Sequence, residues 1–136
     1  MLGIEHETFA GTFPFAPHYH QINDFAMHYV DEGSGEPLVM LHGDPTWGYL
    51  FRNFIPPLAR RYRCIVPDHM GMGKSGVPAD PARYHLGQHI GNLEELLLAL
   101  YPHAITHEVE DANHFLQEDA PERIVGWIKE FLATSP

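Results

Sequence analysis

Three stretches of this chain carry side chains whose types and spacing could do chemistry. The first is Leu38-Val39-Met40-Leu41-His42-Gly43-Asp44-Pro45-Thr46-Trp47. A short apolar run stops at a polar turn, and a helical pattern follows. Open α/β sheets place ligands where a strand ends in such a turn and feeds a helix. The turn's backbone N–H groups and the Asp44 carboxylate are therefore candidates for binding or charge stabilisation. The plainer reading is a strand-ending turn, since Gly43 frees the backbone and Pro45 has no N–H for a ladder. The second stretch is Asp111-Ala112-Asn113-His114-Phe115, a turn-forming cluster that presents a histidine. An imidazole titrating near neutrality suits a general base. His114 is also one of eleven histidines and could be an ordinary surface residue. The third is Pro67-Asp68-His69-Met70-Gly71-Met72-Gly73-Lys74-Ser75-Gly76.

Nucleophiles, phosphate loops and metal sites are poorly served. Lys74-Ser75 looks like the end of a phosphate loop, but Asp68 stands where Gly-x-x-x-x-Gly-Lys-Ser needs its first glycine. Ser75 lacks the spacing of a Gly-x-Ser-x-Gly elbow. Cys64 lies in an apolar strand pattern and reads as inert core, and Asp68 reads as ordering its own turn. His18 and His20 share a strand face that His28 could neighbour, and His85 and His89 are four apart on a helical pattern. No Cys or Glu completes either group into a recognisable ligand set, so neither a metal nor a cofactor is expected.

The elements that must position these residues follow from periodicity and punctuation. Pro17 marks residues 17–22 as an edge strand, joined through the Asn23-Asp24 turn to a strand over 25–30. Residues 38–41 and 63–66 read as short buried strands. Between them, Leu50, Phe51, Phe54 and Ile55 suggest a helix that Pro56-Pro57 interrupts. Residues 86–100 form the clearest helix, with Ile90, Leu93, Leu97 and Leu100 on its apolar face. A last strand is expected over 105–109. A final helix after Asp119-Ala120-Pro121-Glu122 should bury Ile124, Val125, Ile128, Phe131 and Leu132. The order β-β-β-α-β-α-β-α predicts an α/β fold.

His42-Gly43-Asp44-Pro45-Thr46-Trp47, then Tyr49-Leu50-Phe51-Arg52-Asn53, then Pro67-Asp68-His69-Met70-Gly71-Met72-Gly73-Lys74-Ser75 together resemble the α/β-hydrolase fold. Within it they look like the haloalkane dehalogenase branch, with its epoxide hydrolase and β-lactone-processing relatives. The resemblance implies that His114 is the general base. It also implies that the backbone at Asp44 helps form an oxyanion hole, or that Asp44 positions halide or water. A negative side chain would repel halide, which speaks against dehalogenation specifically. Trp47 and Phe115 would line the substrate pocket. The family's nucleophile elbow, Gly-x-Ser-x-Gly or x-Asp-Trp-Gly-Gly, does not occur in these 136 residues. The chain reads as one shortened domain over 1–136, residues 1–100 resembling the family's N-terminal part and 101–136 its C-terminal part. The cap and the strands bearing the catalytic acid are missing between them. The expected core is a mostly parallel sheet of about five strands with an N-terminal antiparallel hairpin. Strand 105–109 would pair with strand 38–41 to seal the edge. Failing that, two copies would associate or exchange C-terminal parts.

Composition bounds the partners. With 18 acidic and 8 basic residues, the net charge is −10 with histidine neutral. That argues against nucleic acid and anionic membrane surfaces. A single Cys excludes an internal disulfide. No basic-then-apolar leader or membrane-length apolar run is seen, so a cytoplasmic, soluble protein is expected. The remaining expectation is a small hydrophobic substrate or ligand, or, without turnover, a binding module for such a ligand or for a protein.

Overall fold

The computed structural model describes residues 4–111 and 116–134, in two compact units, one within Met1–Pro102 and one within His103–Pro136. The first unit is built on a four-stranded sheet of β1 (His18–Ile22), β2 (Phe25–Glu32), β3 (Glu36–Val39) and β4 (Tyr62–Pro67), in the order β1-β2-β4-β3. β1 is an edge strand, as its proline-bounded sequence predicts. The hairpin turns at Asn23, whose φ of 52° is a left-handed conformation that asparagine tolerates better than most residues. Gly33 is required where the β2–β3 loop crosses the start of β4. Its φ is +86°, and a Cβ there would sit 2.3 Å from the Tyr62 carbonyl oxygen.

The sheet is mixed, not mostly parallel. β1–β2 and β2–β4 are antiparallel, and only β3–β4 is parallel. A parallel pair needs a crossover of a dozen or more residues. Among the described residues, only the segment between β3 and β4 supplies one. The expected strand over 105–109 is absent: residues 103–109 join no ladder. Its β-formers Ile105, Thr106 and Val109 are interrupted by His107 and Glu108, which leaves too little apolar surface to offset the entropy of ordering a strand. β3 therefore remains a sheet edge.

The sheet carries an apolar cluster on each face. One gathers Phe13, Val30, Ile55, Cys64 and Val66, with Leu38, Met40 and Trp47 partly buried against it. The other gathers Ile22, Phe25, Met27, Met70 and Leu96. Between β3 and β4 the chain makes a 3-10 turn, Gly48–Phe51, and then the short helix α1 (Ile55–Leu58). The prolines occupy the first helical positions of α1, where no N–H is needed, so they start this helix and do not break it. Helix α2 (Leu86–Leu100) has the expected bounds. It buries Asn92 and Leu96, whereas Ile90 is 57% exposed. The run Leu96-Leu97-Leu98 makes the helix apolar on several sides, so spacing alone does not fix which face turns inward.

The second unit holds α3 (Leu116–Asp119) and α4 (Pro121–Thr134). α4 does not bury the face expected of it. Val125, Ile128, Phe131 and Leu132 are all exposed, because no sheet within this unit lies beneath them.

Strands β2 and β4 are clamped by Arg63, which donates through Nε (2.8 Å) and Nη2 (2.6 Å) to the two Asp31 carboxylate oxygens. This hydrogen bonding holds the Asp31 carboxyl below the usual range against the opposing effect of burial. A carboxyl with a depressed folded pKa stabilises the fold above its unfolded value, and the contribution is lost as pH falls through the folded value. The stability advantage of wild type over Asp31→Asn should therefore be constant above about pH 5 and shrink towards about pH 2. Urea midpoints across that range measure it, and a difference independent of pH would contradict the assignment.

Candidate functional site

The site is assembled where the loops after β3 and β4 meet. The Met40 amide donates to the Ile65 carbonyl at 3.0 Å and carries the parallel ladder one residue past β3. The chain then turns His42 inward, leaving it only 4% exposed. His42 and His69 brace each other through their backbones. The His69 amide donates to His42 Nε2 at 2.9 Å, and His69 Nε2 lies 3.0 Å from the His42 carbonyl. The two rings are 4.5 Å apart, and His69 in turn meets His89 of α2 at 5.6 Å.

From this brace projects the turn Gly43-Asp44-Pro45-Thr46. The Gly43 carbonyl accepts from the Thr46 amide (2.9 Å) and hydroxyl (2.6 Å), and the Asp44–Pro45 peptide is cis. Asp44 is exposed at the tip. Trp47 is partly buried. Its ring packs on Phe9 (5.2 Å), Phe13 (5.1 Å) and Tyr49 (5.4 Å).

The Asp68 carboxylate, fully buried, fastens the loop beneath. It accepts from the Gly48 amide at 2.7 Å, the Lys74 amide at 2.9 Å and His28 Nδ1 at 2.8 Å. Ser75 completes the knot: its hydroxyl donates to the Asp68 carbonyl at 2.7 Å and accepts from the His28 amide at 2.9 Å. Gly48 is required by this approach, since a Cβ there would lie 2.8 Å from Asp68 Oδ1. Lys74 Nζ donates to the carbonyls of Glu5 (3.1 Å) and Glu7 (2.8 Å), and burial pushes its pKa down. Cys64 is fully buried, and burial pushes its thiol up.

The structure thus brings the Asp44 turn together with His42 and His69. The two other sequence candidates, His114 and Phe115, lie outside the described residues. Two further histidines take structural places. His85 Nδ1 accepts from the Gln88 amide at the start of α2 (3.2 Å), and His18 packs on Tyr29. Among the described residues, no three His, Cys, Asp or Glu side chains converge as a metal set. Sequence reasoning missed the His42–His69 brace and the role of His28. An aspartate directly following a buried strand was the available signal, because a carboxylate there must collect donors.

In the second unit, His107 stacks on Trp127 with centroids 4.2 Å apart and planes within 6°. Beside them is an apolar cavity of about 450 Å³, lined by Ile105, Ile124, Ile128, Phe131 and Leu132 among others.

Comparison with known proteins places these features in context. The profile of the alpha/beta hydrolase fold family matches residues 36–106, more than half of the chain. The cis-3-alkyl-4-alkyloxetan-2-one decarboxylase of Shewanella oneidensis is 44% identical over 88 residues, covering 64% of this chain and 28% of the relative. A haloalkane dehalogenase of Mycobacterium marinum is 44% identical over 99 residues, covering 64% of this chain and 33% of the relative. Among solved structures, a tetrameric haloalkane dehalogenase from Paraglaciecola agarilytica NO2 superposes with a TM-score of 0.58 at 33% identity, covering 65% of this chain and 32% of that one. The chain therefore spans about a third or less of the length of these proteins.

Burial, and then the neighbouring His42, push the His69 pKa below its ordinary value. The folded state thus favours neutral His69. Its contribution to stability is complete above the unfolded value of about 6.5 and declines as pH falls towards the lower folded value. His69→Gln should flatten the loss of stability on acidification below about pH 6.5. Urea midpoints measured in parallel for both proteins check this, and identical slopes would refute it.

Proposed function

The chain belongs to the α/β-hydrolase fold family, and from that membership we propose a haloalkane dehalogenase-like hydrolase scaffold without the family's covalent turnover. The observation that carries the reading is the missing elbow: the sequence holds the family's turn at His42–Trp47 but neither form of its nucleophile motif. The three residues with nucleophilic side chains considered as substitutes are otherwise engaged. The Ser75 hydroxyl is bonded to backbone on both sides, Cys64 is buried with a raised pKa, and the Asp68 carboxylate already accepts three donors. A nucleophile needs exposure and a base within reach, and none of the three has both.

Residual chemistry would fall to His114 as general base and to the Asp44 backbone N–H as an electrophilic donor. One well-placed general base contributes roughly 10²–10⁴-fold, far below a complete covalent mechanism. The ligand class is small and hydrophobic, as the oxetanone in one relative's name and the haloalkane in the other's suggest. The Asp44 carboxylate would disfavour halide beside it, so an ester or a β-lactone suits the turn better than a haloalkane. A binding role without turnover, for a small hydrophobic ligand, is the second reading. The apolar cavity beside Trp127 favours it.

Turnover of haloalkanes, epoxides and p-nitrophenyl esters by wild type and His114→Ala decides between these outcomes. The expected result is no haloalkane or epoxide turnover, with at most slow ester hydrolysis that His114→Ala abolishes. Hydrolysis at the rate of an intact family member, lost in His114→Ala, would overturn the proposal. Mass spectrometry of the covalent adduct would then name the nucleophile.

A further inference from the structure

We propose that His42 is an acid-operated catch on the Asp44 turn: its ring grips the loop after β4 only through a nitrogen that carries no proton, and proton uptake there releases the turn. The catch lies wholly inside the first unit and does not depend on turnover. An amide N–H can only donate, so His42 Nε2 presents its lone pair where the His69 amide meets it at 2.9 Å. The ring's proton then sits on Nδ1, which faces the Gly43 carbonyl at 3.2 Å. That same carbonyl closes the turn by accepting from Thr46. One ring thus holds the turn with one nitrogen and the loop after β4 with the other. The geometry fixes His69 the opposite way. A carbonyl can only accept, so the His69 proton sits on Nε2, which reaches the His42 carbonyl at 3.0 Å.

The two rings respond differently to acid. A second proton on His69 goes to Nδ1, which is buried without a partner, and leaves both bonds of the brace in place. A second proton on His42 goes to Nε2 and points at the His69 N–H. Two donors then face each other, and the amide loses its acceptor. His42 is only 4% exposed, so the new charge is also removed from water. The ring must swing away, and the turn parts from the loop after β4. Within the first unit, the titratable groups around the pair are His89 of α2 against His69, Tyr84 against His89, and the buried Asp68. Burial, and then His42, outweigh the attraction of Asp68 for a charge on His69. No ion pair engages either ring among the described residues, so no carboxylate compensates the added proton on His42. A ligand held by the Asp44 N–H would lose its donor in acid; that consequence alone rests on the reading of the turn proposed above.

Heteronuclear NMR of the full chain from about pH 8 to about pH 5 tests the proposal. At the upper end, couplings within the rings should place the proton on Nδ1 of His42 and on Nε2 of His69. As His42 takes up its second proton, the His69 amide should lose up to about tenfold of its hydrogen-exchange protection, the worth of one hydrogen bond. The Thr46 amide should shift with the same midpoint, while the Val30 amide inside β2 stays protected. His42→Gln offers an acceptor at similar reach that takes no proton, and there the His69 and Thr46 amides should be independent of pH. His69→Gln keeps the backbone donor, so the Thr46 response should persist. A proton on His42 Nε2 at the upper end would overturn the proposal. So would turn amides that ignore the His42 ring, or a Val30 amide that opens at the same midpoint. A response kept in His42→Gln or lost in His69→Gln would overturn it equally. Should either variant fail to fold, the wild-type titration alone still decides.

Discussion

One buried carboxylate fixes the geometry of the first unit. A charge removed from water must be met by donors, and Asp68 draws them from three separate pieces of chain: His28 of β2, the Gly48 amide after the β3 turn, and the Lys74 amide of the glycine loop. None of these pieces can shift without leaving a donor or the carboxylate unsatisfied. The Asp44 turn hangs from this point through Gly48, and the His42–His69 brace holds its other end. The turn is thus suspended between a hydrogen-bonded anchor and a pair of packed imidazole rings, with Asp44 itself free of the burial that constrains its neighbours.

The sequence made some of this legible. Apolar runs bounded by turn residues located β2 and β4, Pro17 and the Asn23-Asp24 turn located β1, and the long apolar pattern ending just before Pro102 located α2. Asp68 was readable as a turn former because its carboxylate follows a buried strand. The direction of strand pairing was not readable, since a short run such as residues 63–66 is compatible with either sense, and only the number of crossovers decides. The inward face of α2 was hidden by its many leucines. The prolines after Phe54 misled because the same residue breaks a helix interior and starts a helix. The brace between His42 and His69 depends on backbone atoms twenty-seven residues apart, which no local pattern encodes.

The edge of the sheet and the polar interior of the first unit differ in how far they are satisfied. β3 carries an unpaired edge in the described sheet, and the profile match ends at residue 106. The polar interior of the first unit shows no corresponding deficit. Its buried Asp68, His28 and Ser75 are mutually bonded. The hydrogen-bonded knot of the first unit is thus complete within the described residues.

The aromatic environment has an optical consequence. The protein has two tryptophans, and each reports on a different unit. Trp47 sits among Phe9, Phe13 and Tyr49, while Trp127 lies face to face with an imidazole. Cooperative units within one chain can open with different free energies. Intrinsic emission from the two indoles, separated by single Trp→Phe replacements, thus provides a built-in spectroscopic record of how each half of this molecule comes apart.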